Sequence, residues 1–158
     1  NQGQCGSCWA FSATETLESL YALATGETAP ILAPQQLVSC MSNPNDCGGT
    51  GGCSGATQPL AFNYTETTGL TLESNYPYRA QTLKCQARDI VPVVKNTGVV
   101  QLPSNDPTAL LGAVATVGPV SISVDAGAQG WSYYAGGVYT DACGFDVDHA
   151  VQLVGYGE

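Results

Sequence analysis

The chain opens Asn1-Gln2-Gly3-Gln4-Cys5-Gly6-Ser7-Cys8-Trp9-Ala10-Phe11, a stretch whose meaning is set by the residues on its C-terminal side. Trp9, Ala10, Phe11, Ala13, Leu17, Leu20, Tyr21 and Ala24 recur at spacings close to three and four, the period of a helix with one apolar face. Ser7 stands where an N-cap belongs and Gly26 where a C-terminal stop belongs, so a helix is expected from about Ser7 to Thr25. Cys8 then falls in the first turn, beside backbone N–H groups without intrahelical acceptors and at the positive end of the helix dipole. Both features favour a thiolate over a thiol, and the thiolate is the nucleophilic form.

Cys5-Gly6-Ser7-Cys8-Trp9 also matches the local signature of papain and the cathepsins, and the chain resembles a papain-like cysteine peptidase. That signature asks for a histidine about 130–150 residues downstream. His149, the single histidine, lies 141 residues after Cys8, within Asp148-His149-Ala150-Val151 and ahead of Gly155-Tyr156-Gly157. The resemblance implies Cys8 as nucleophile and His149 as its imidazolium partner. It implies that Gln2, six residues before Cys8, donates its side-chain amide to the oxyanion together with the Cys8 N–H. Gln4 differs from Gln2 only by position. The asparagine that orients the imidazole in this family would lie past Glu158, so these 158 residues alone are expected to show little peptidase activity.

At 158 residues a chain can bury a real core, and by length it reads as one or two domains. The resemblance makes it the middle of a longer protein, with a lead-in and cleaved propeptide upstream and an Asn-Ser-Trp segment downstream. Thirteen acidic residues against four basic ones give a net charge of -9, which disfavours nucleic acid and anionic membrane surfaces. An ordinary acidic surface accounts for that charge, and an acidic compartment is compatible with it. No run of 18 apolar residues is present to span a membrane. Seven cysteines fit a secretory, lysosomal or vacuolar protein with disulfides, and the odd count leaves one reactive thiol.

Taken in order, the first helix leads to a loop with Pro30 and Pro34, then a helical turn at Gln35–Cys40. Met41 to Gly55 is turn chemistry, and a helix is expected from near Gln58, with Pro59 in its first turn, to Gly69. Composition shifts near Asn96-Thr97-Gly98. Beyond it come strand-like runs at Val99–Leu102, Val120–Val124, Gly137–Thr140 and His149–Val154, and one helix capped by Asp106 with Pro107 first. Helices and then strands make an α+β pattern. The resemblance implies the two-lobed papain-like fold, truncated at both ends: a mainly helical lobe over 1–98 and a strand-rich, β-barrel-like lobe over 99–158, with the active cleft between Cys8 and His149.

By resemblance Cys5 pairs with Cys53, Cys40 with Cys85, and Cys143 with a cysteine beyond the chain; Cys47 has no assigned partner. The resemblance implies no metal and no organic cofactor: Cys5-Gly-Ser-Cys8 is the one CxxC pair, better explained as staple plus nucleophile. It places Gly6, Gly55, Ala56, Thr57, Gln58, Ser123, Val147 and Asp148 around the substrate. Gly55 and Ala56 would hydrogen-bond an extended peptide, and Thr57, Gln58, Ser123, Val147 and Asp148 would lie near the pocket for the second residue before the cleaved bond. Ala56 stands in place of a usual glycine, so either its backbone is ordinary or the loop has shifted. The 31 residues between Cys53 and Cys85 leave no room for the occluding loop of cathepsin B-like carboxydipeptidases, which points to an endopeptidase of papain or cathepsin L type. The implied partners are peptide and protein substrates, the chain's own propeptide and cystatin-like inhibitors, acting on a monomer. The rival readings are a non-catalytic secreted relative on the same scaffold and an acyl transferase using the same site.

Overall fold

The apolar period beginning at Trp9 is realised as helix α1, Cys8–Thr25, in the computed structural model, which describes residues 1–140 and 142–157. Gly26 ends it in the left-handed conformation (φ 73°) and returns its N–H to the Ala22 carbonyl. Trp9, Ala10, Ala13 and Leu17 are buried from α1 against Leu37 and Val38 of α2 (Pro34–Cys40) and Ala61 of α3 (Gln58–Thr68), with Leu32, Leu70 and Val94 from connecting segments. Each fully buried leucine in such a cluster contributes about 1.5–3 kcal/mol of apolar transfer free energy. The core thus is drawn from residues 5–94. Thr14 and Thr16 are buried on α1 without penalty because each hydroxyl donates one turn back, to the carbonyls of Ala10 and Ser12.

Helix α2 carries two fully buried glutamines, and both are braces. The Gln36 amide donates to the Gly69 carbonyl at 2.8 Å and accepts the Thr71 N–H at 2.9 Å, tying α2 to the end of α3. The Gln35 amide donates to Ser39 Oγ and the Gln81 carbonyl and accepts the Arg79 N–H. Both amides can be buried because the nitrogen and the oxygen of each have partners. Two disulfides close the surrounding loops, Cys5–Cys53 and Cys40–Cys85. The long turn segment between α2 and α3 folds tightly on glycines. A Cβ on Gly49 (φ +130°) would lie 2.0 Å from the Ser54 carbonyl oxygen, so no other residue fits there.

A single 3₁₀ turn at Ala87–Asp89 leads into the second half. Helix α4, Pro107–Thr116, begins as its sequence predicts: Asp106 Oδ1 accepts the Ala109 N–H at 2.9 Å, and Pro107 occupies the first turn. Strand β1, Val120–Val124, pairs antiparallel with β2, His149–Leu153, in the register Val120↔Leu153 to Val124↔His149. A short helix α5, Gln129–Tyr133, lies between them; no sequence signal pointed to it. The runs Val99–Leu102 and Gly137–Thr140 are not strands. A strand must lie in a sheet, and the sheet among the described residues holds only β1 and β2; Val100 and Val138 are both 86% exposed. Among the described residues no helix is long and apolar enough to cross a membrane.

Candidate active site

Three anchors hold the loop ahead of α1. Cys5 is bonded to Cys53, the Gly6 N–H donates to the Cys53 carbonyl at 2.9 Å, and Trp9 Nε1 donates to the Gly52 carbonyl at 3.2 Å. Ser7 occupies the N-cap position, but its side chain does not cap, contrary to the sequence expectation. Its hydroxyl is turned to the Tyr78 phenol at 2.6 Å and, more distantly, to the Cys5 carbonyl at 3.4 Å. The N–H groups of Ala10 and Phe11 both bond the Ser7 carbonyl, whereas those of Cys8 and Trp9 have no acceptor among the described residues. Helix α1 therefore presents two bare N–H donors at the residue that carries the thiol, which is itself half-buried and free.

Strand β2, which begins at His149, packs against α1. Ser12, one turn after Cys8, is 1% exposed and donates to the Val151 carbonyl at 2.7 Å. With its one proton committed there, Ser12 Oγ accepts from Ser121 of β1 at 2.5 Å. Farther along α1, Gln152 Nε2 reaches the Glu15 carbonyl and Ser19 Oγ. Strand β2 thus runs along α1 in the helix's own direction. His149 is half-buried at the start of β2, two residues before Val151.

The two glutamines of the opening loop are not equivalent. Gln2 is half-buried, with its side-chain amide donating to the Cys5 carbonyl at 3.1 Å, while Gln4 is exposed and makes no side-chain hydrogen bond among the described residues. An amide nitrogen carries two protons, so one donor of Gln2 is left over. Nearby, Gly6 pairs as a parallel bridge with Ser54. The Gly55 N–H and both backbone groups of Ala56 have no partner among the described residues, although the Gly55 carbonyl accepts from Gly51. Ala56 does not have a positive φ, so its backbone is ordinary.

Gln58 reaches strand β1 with its side chain. Its side chain is buried, and its amide donates to the Ile122 carbonyl at 3.1 Å and to Ser123 Oγ at 3.0 Å. It joins α3 to β1. Thr57 is half-buried just ahead of α3, and Ser123, Val147 and Asp148 are exposed. Asp148 is occupied locally: Oδ1 accepts the Ala126 N–H at 2.8 Å.

Behind the opening loop lies a cavity of ≈ 330 Å³ lined by Asn1, Phe11, Glu15, Glu18, Glu73 and Tyr78 among others. Burial raises the pKa of all three carboxyls above the ordinary glutamate value. The Leu32 N–H opposes this for Glu18, and the Tyr78 N–H and Arg79 oppose it for Glu73. Glu73 Oε2 is buried and makes no hydrogen bond, while Oε1 accepts the Tyr78 N–H at 2.7 Å. Sequence reading missed this cluster, because its members are brought together only by α1 meeting the Leu72–Tyr78 segment. Among the described residues no group of three or more His, Cys, Asp or Glu is arranged to hold a metal ion.

Comparison with known proteins gives one answer. A family model described as papain family cysteine protease matches residues 1–158. "Thiol protease SEN102" of Hemerocallis sp. is 40% identical over 99% of this chain and 42% of its own length. "Procathepsin L" of Rattus norvegicus is 42% identical over 99% of this chain and 46% of its own. Among solved structures, the Carica candamarcensis cysteine protease CMS1MS2 in complex with E-64 superposes with a TM-score of 0.89 at 37% identity, over 99% of this chain and 70% of that one. The chain thus spans less than half the length of these two curated relatives.

Proposed function

The chain belongs to the papain family of cysteine proteases, and from that premise we propose that it is part of a thiol endopeptidase whose nucleophile is Cys8. The observation that carries this is the start of α1, where the N–H groups of Cys8 and Trp9 are bare at a half-buried thiol. Thiolate Cys8 attacks the scissile carbonyl, and its own N–H with the spare Gln2 donor holds the oxyanion. His149 protonates the leaving amine, and water then resolves the thioester. Gly55 and Ala56 bind the peptide through the backbone groups left unpaired. Thr57, Ser123, Val147 and Asp148 border the pocket for the second residue before the cleaved bond, with Gln58 as the strut behind it. The two halves, 1–98 and 99–158, flank the cleft. The orienting group for His149 comes from outside the described residues, none of which hydrogen-bonds its ring. Two disulfides support a lysosomal, vacuolar or other secretory-pathway location. Synthesis as a zymogen agrees with the procathepsin name of one relative.

The test is labelling of the native full-length protein with an epoxysuccinyl-peptide inhibitor, then mass spectrometry of the adduct. Selective alkylation of Cys8, lost in His149→Ala, is expected. A folded, propeptide-free protein that forms no adduct would establish the non-catalytic reading. Product analysis with an added amine separates hydrolysis from acyl transfer.

A further inference from the structure

The Tyr78 phenol lies between the two ends of the opening loop, and nothing in the proposed chemistry yet uses it. It donates to the Gln2 carbonyl at 2.8 Å and meets Ser7 Oγ at 2.6 Å. A phenol has one proton, and a carbonyl can only accept, so the Ser7 hydroxyl donates to the phenol oxygen. One oxygen therefore ties the residue carrying the amide donor to the residue next to the nucleophile. The other anchors of this loop act at Cys5, Gly6 and Trp9. None of them touches the main chain of Gln2, which precedes Gly3 in a left-handed conformation (φ 61°). Tyr78 is itself held from three sides. Its N–H donates to Glu73 Oε1 at 2.7 Å, its ring meets Phe11 edge-on at 4.9 Å, and Pro77 precedes it. Phe11 lies one turn into α1, so the ring is indexed to the same helix that carries Cys8.

We propose that Tyr78 is a positioning residue for catalysis: its hydroxyl fixes the Gln2 main chain relative to Ser7 and Cys8, so that the spare Gln2 amide proton is pre-aimed at the oxyanion. This rests on the reading of Gln2 and Cys8 as the oxyanion donors. Preorganised donors accelerate acyl transfer because no reorganisation is needed as charge develops. A donor free to swing loses that advantage while ground-state peptide binding, made elsewhere, is unaffected.

The experiment is a double-mutant cycle in the full-length mature enzyme. Tyr78→Phe removes only the hydroxyl and keeps the ring on Phe11, and the Ser7 proton can fall back on the Cys5 carbonyl at 3.4 Å. Gln2→Ala removes the donor and keeps the carbonyl that Tyr78 grips. Gln2→Ala is expected to lower kcat by about 10²–10³. Tyr78→Phe is expected to lower kcat about ten- to a hundredfold with KM unchanged, as a misplaced catalytic group does. In the Gln2→Ala background Tyr78→Phe should cost nothing further, since it acts through a donor already gone. Alkylation of Cys8 by iodoacetamide, which forms no oxyanion, should keep its rate and pH profile in Tyr78→Phe. An additive loss, an alkylation defect matching the turnover defect, or wild-type kcat in Tyr78→Phe would overturn the proposal. A wild-type enzyme without thiol-dependent turnover, or a silent Gln2→Ala, would instead overturn the reading beneath it.

Discussion

Ser12→Ala is expected to weaken the fold and the chemistry together, because this buried hydroxyl fixes where β2 crosses α1. Two hydrogen bonds disappear, to the Val151 carbonyl and from Ser121 Oγ, at about 1 kcal/mol net each. The Ser121 hydroxyl can turn elsewhere, but the Val151 carbonyl loses its donor in a contact from which water is largely excluded. The total is then about 2–3 kcal/mol. With a urea slope of about 2 kcal/mol per molar, the unfolding midpoint of the disulfide-intact protein should fall by about 1 M. Strand β2 held less firmly also leaves His149 less firmly placed, two residues upstream. The rate of Cys8 alkylation by an epoxysuccinyl peptide should drop about tenfold, a cost of about 1.4 kcal/mol in the barrier. An unchanged midpoint with an unchanged alkylation rate would show that the helix–strand crossing is fixed elsewhere and that Ser12 does not index the two halves.

Gln58→Leu should cost about 2 kcal/mol in the same urea assay, since it leaves the Ile122 carbonyl and Ser123 hydroxyl without their donor. It should also alter subsite preference in a peptide library, through loosening of Ser123. The raised carboxyl pKa values give a pH dependence of definite sign. The folded state binds protons that the unfolded state has released, so the cluster's stability contribution is complete below the unfolded glutamate pKa. It is lost as pH rises through the raised folded values. Melting temperature should therefore fall as pH climbs through this window, and Glu73→Gln, which keeps the acceptor for the Tyr78 N–H, should flatten that fall. A steeper fall in the variant would contradict the assignment.

What could be read in advance was what the chain encodes locally. The α1 period, the Gly26 stop and the Asp106–Pro107 start each depend on residues within one or two turns, and each is realised where the sequence puts it. Ser7 shows how such local logic fails. A serine in the N-cap position has a local acceptor role, but a phenol 71 residues away draws its hydroxyl off the helix. The bracing role of Gln58 was hidden for the same reason, because its partners on β1 lie 64 and 65 residues off. The runs at Val99–Leu102 and Gly137–Thr140 have strand composition, yet composition supplies no neighbour to pair with. Of the candidate site, motif and spacing nominate Cys8 and His149, and the resemblance nominates Gln2; the coordinates add that Gln2 is half-buried and hydrogen-bonded whereas Gln4 is exposed.

The same loop sorts its sulfurs by access. Cys5 and Cys8 stand three residues apart, yet Cys5 is 5% exposed and locked to Cys53, while Cys8 is free and partly open. Thiol–disulfide exchange requires an incoming thiolate to reach a sulfur atom, so shielding sets its rate as much as potential does. An incoming thiolate can reach Cys8 directly, whereas the staple can be approached only through its half-buried Cys53 sulfur and not through Cys5. The loop ahead of α1 therefore keeps one sulfur sealed inside a cross-link and another, three residues on, open to redox chemistry.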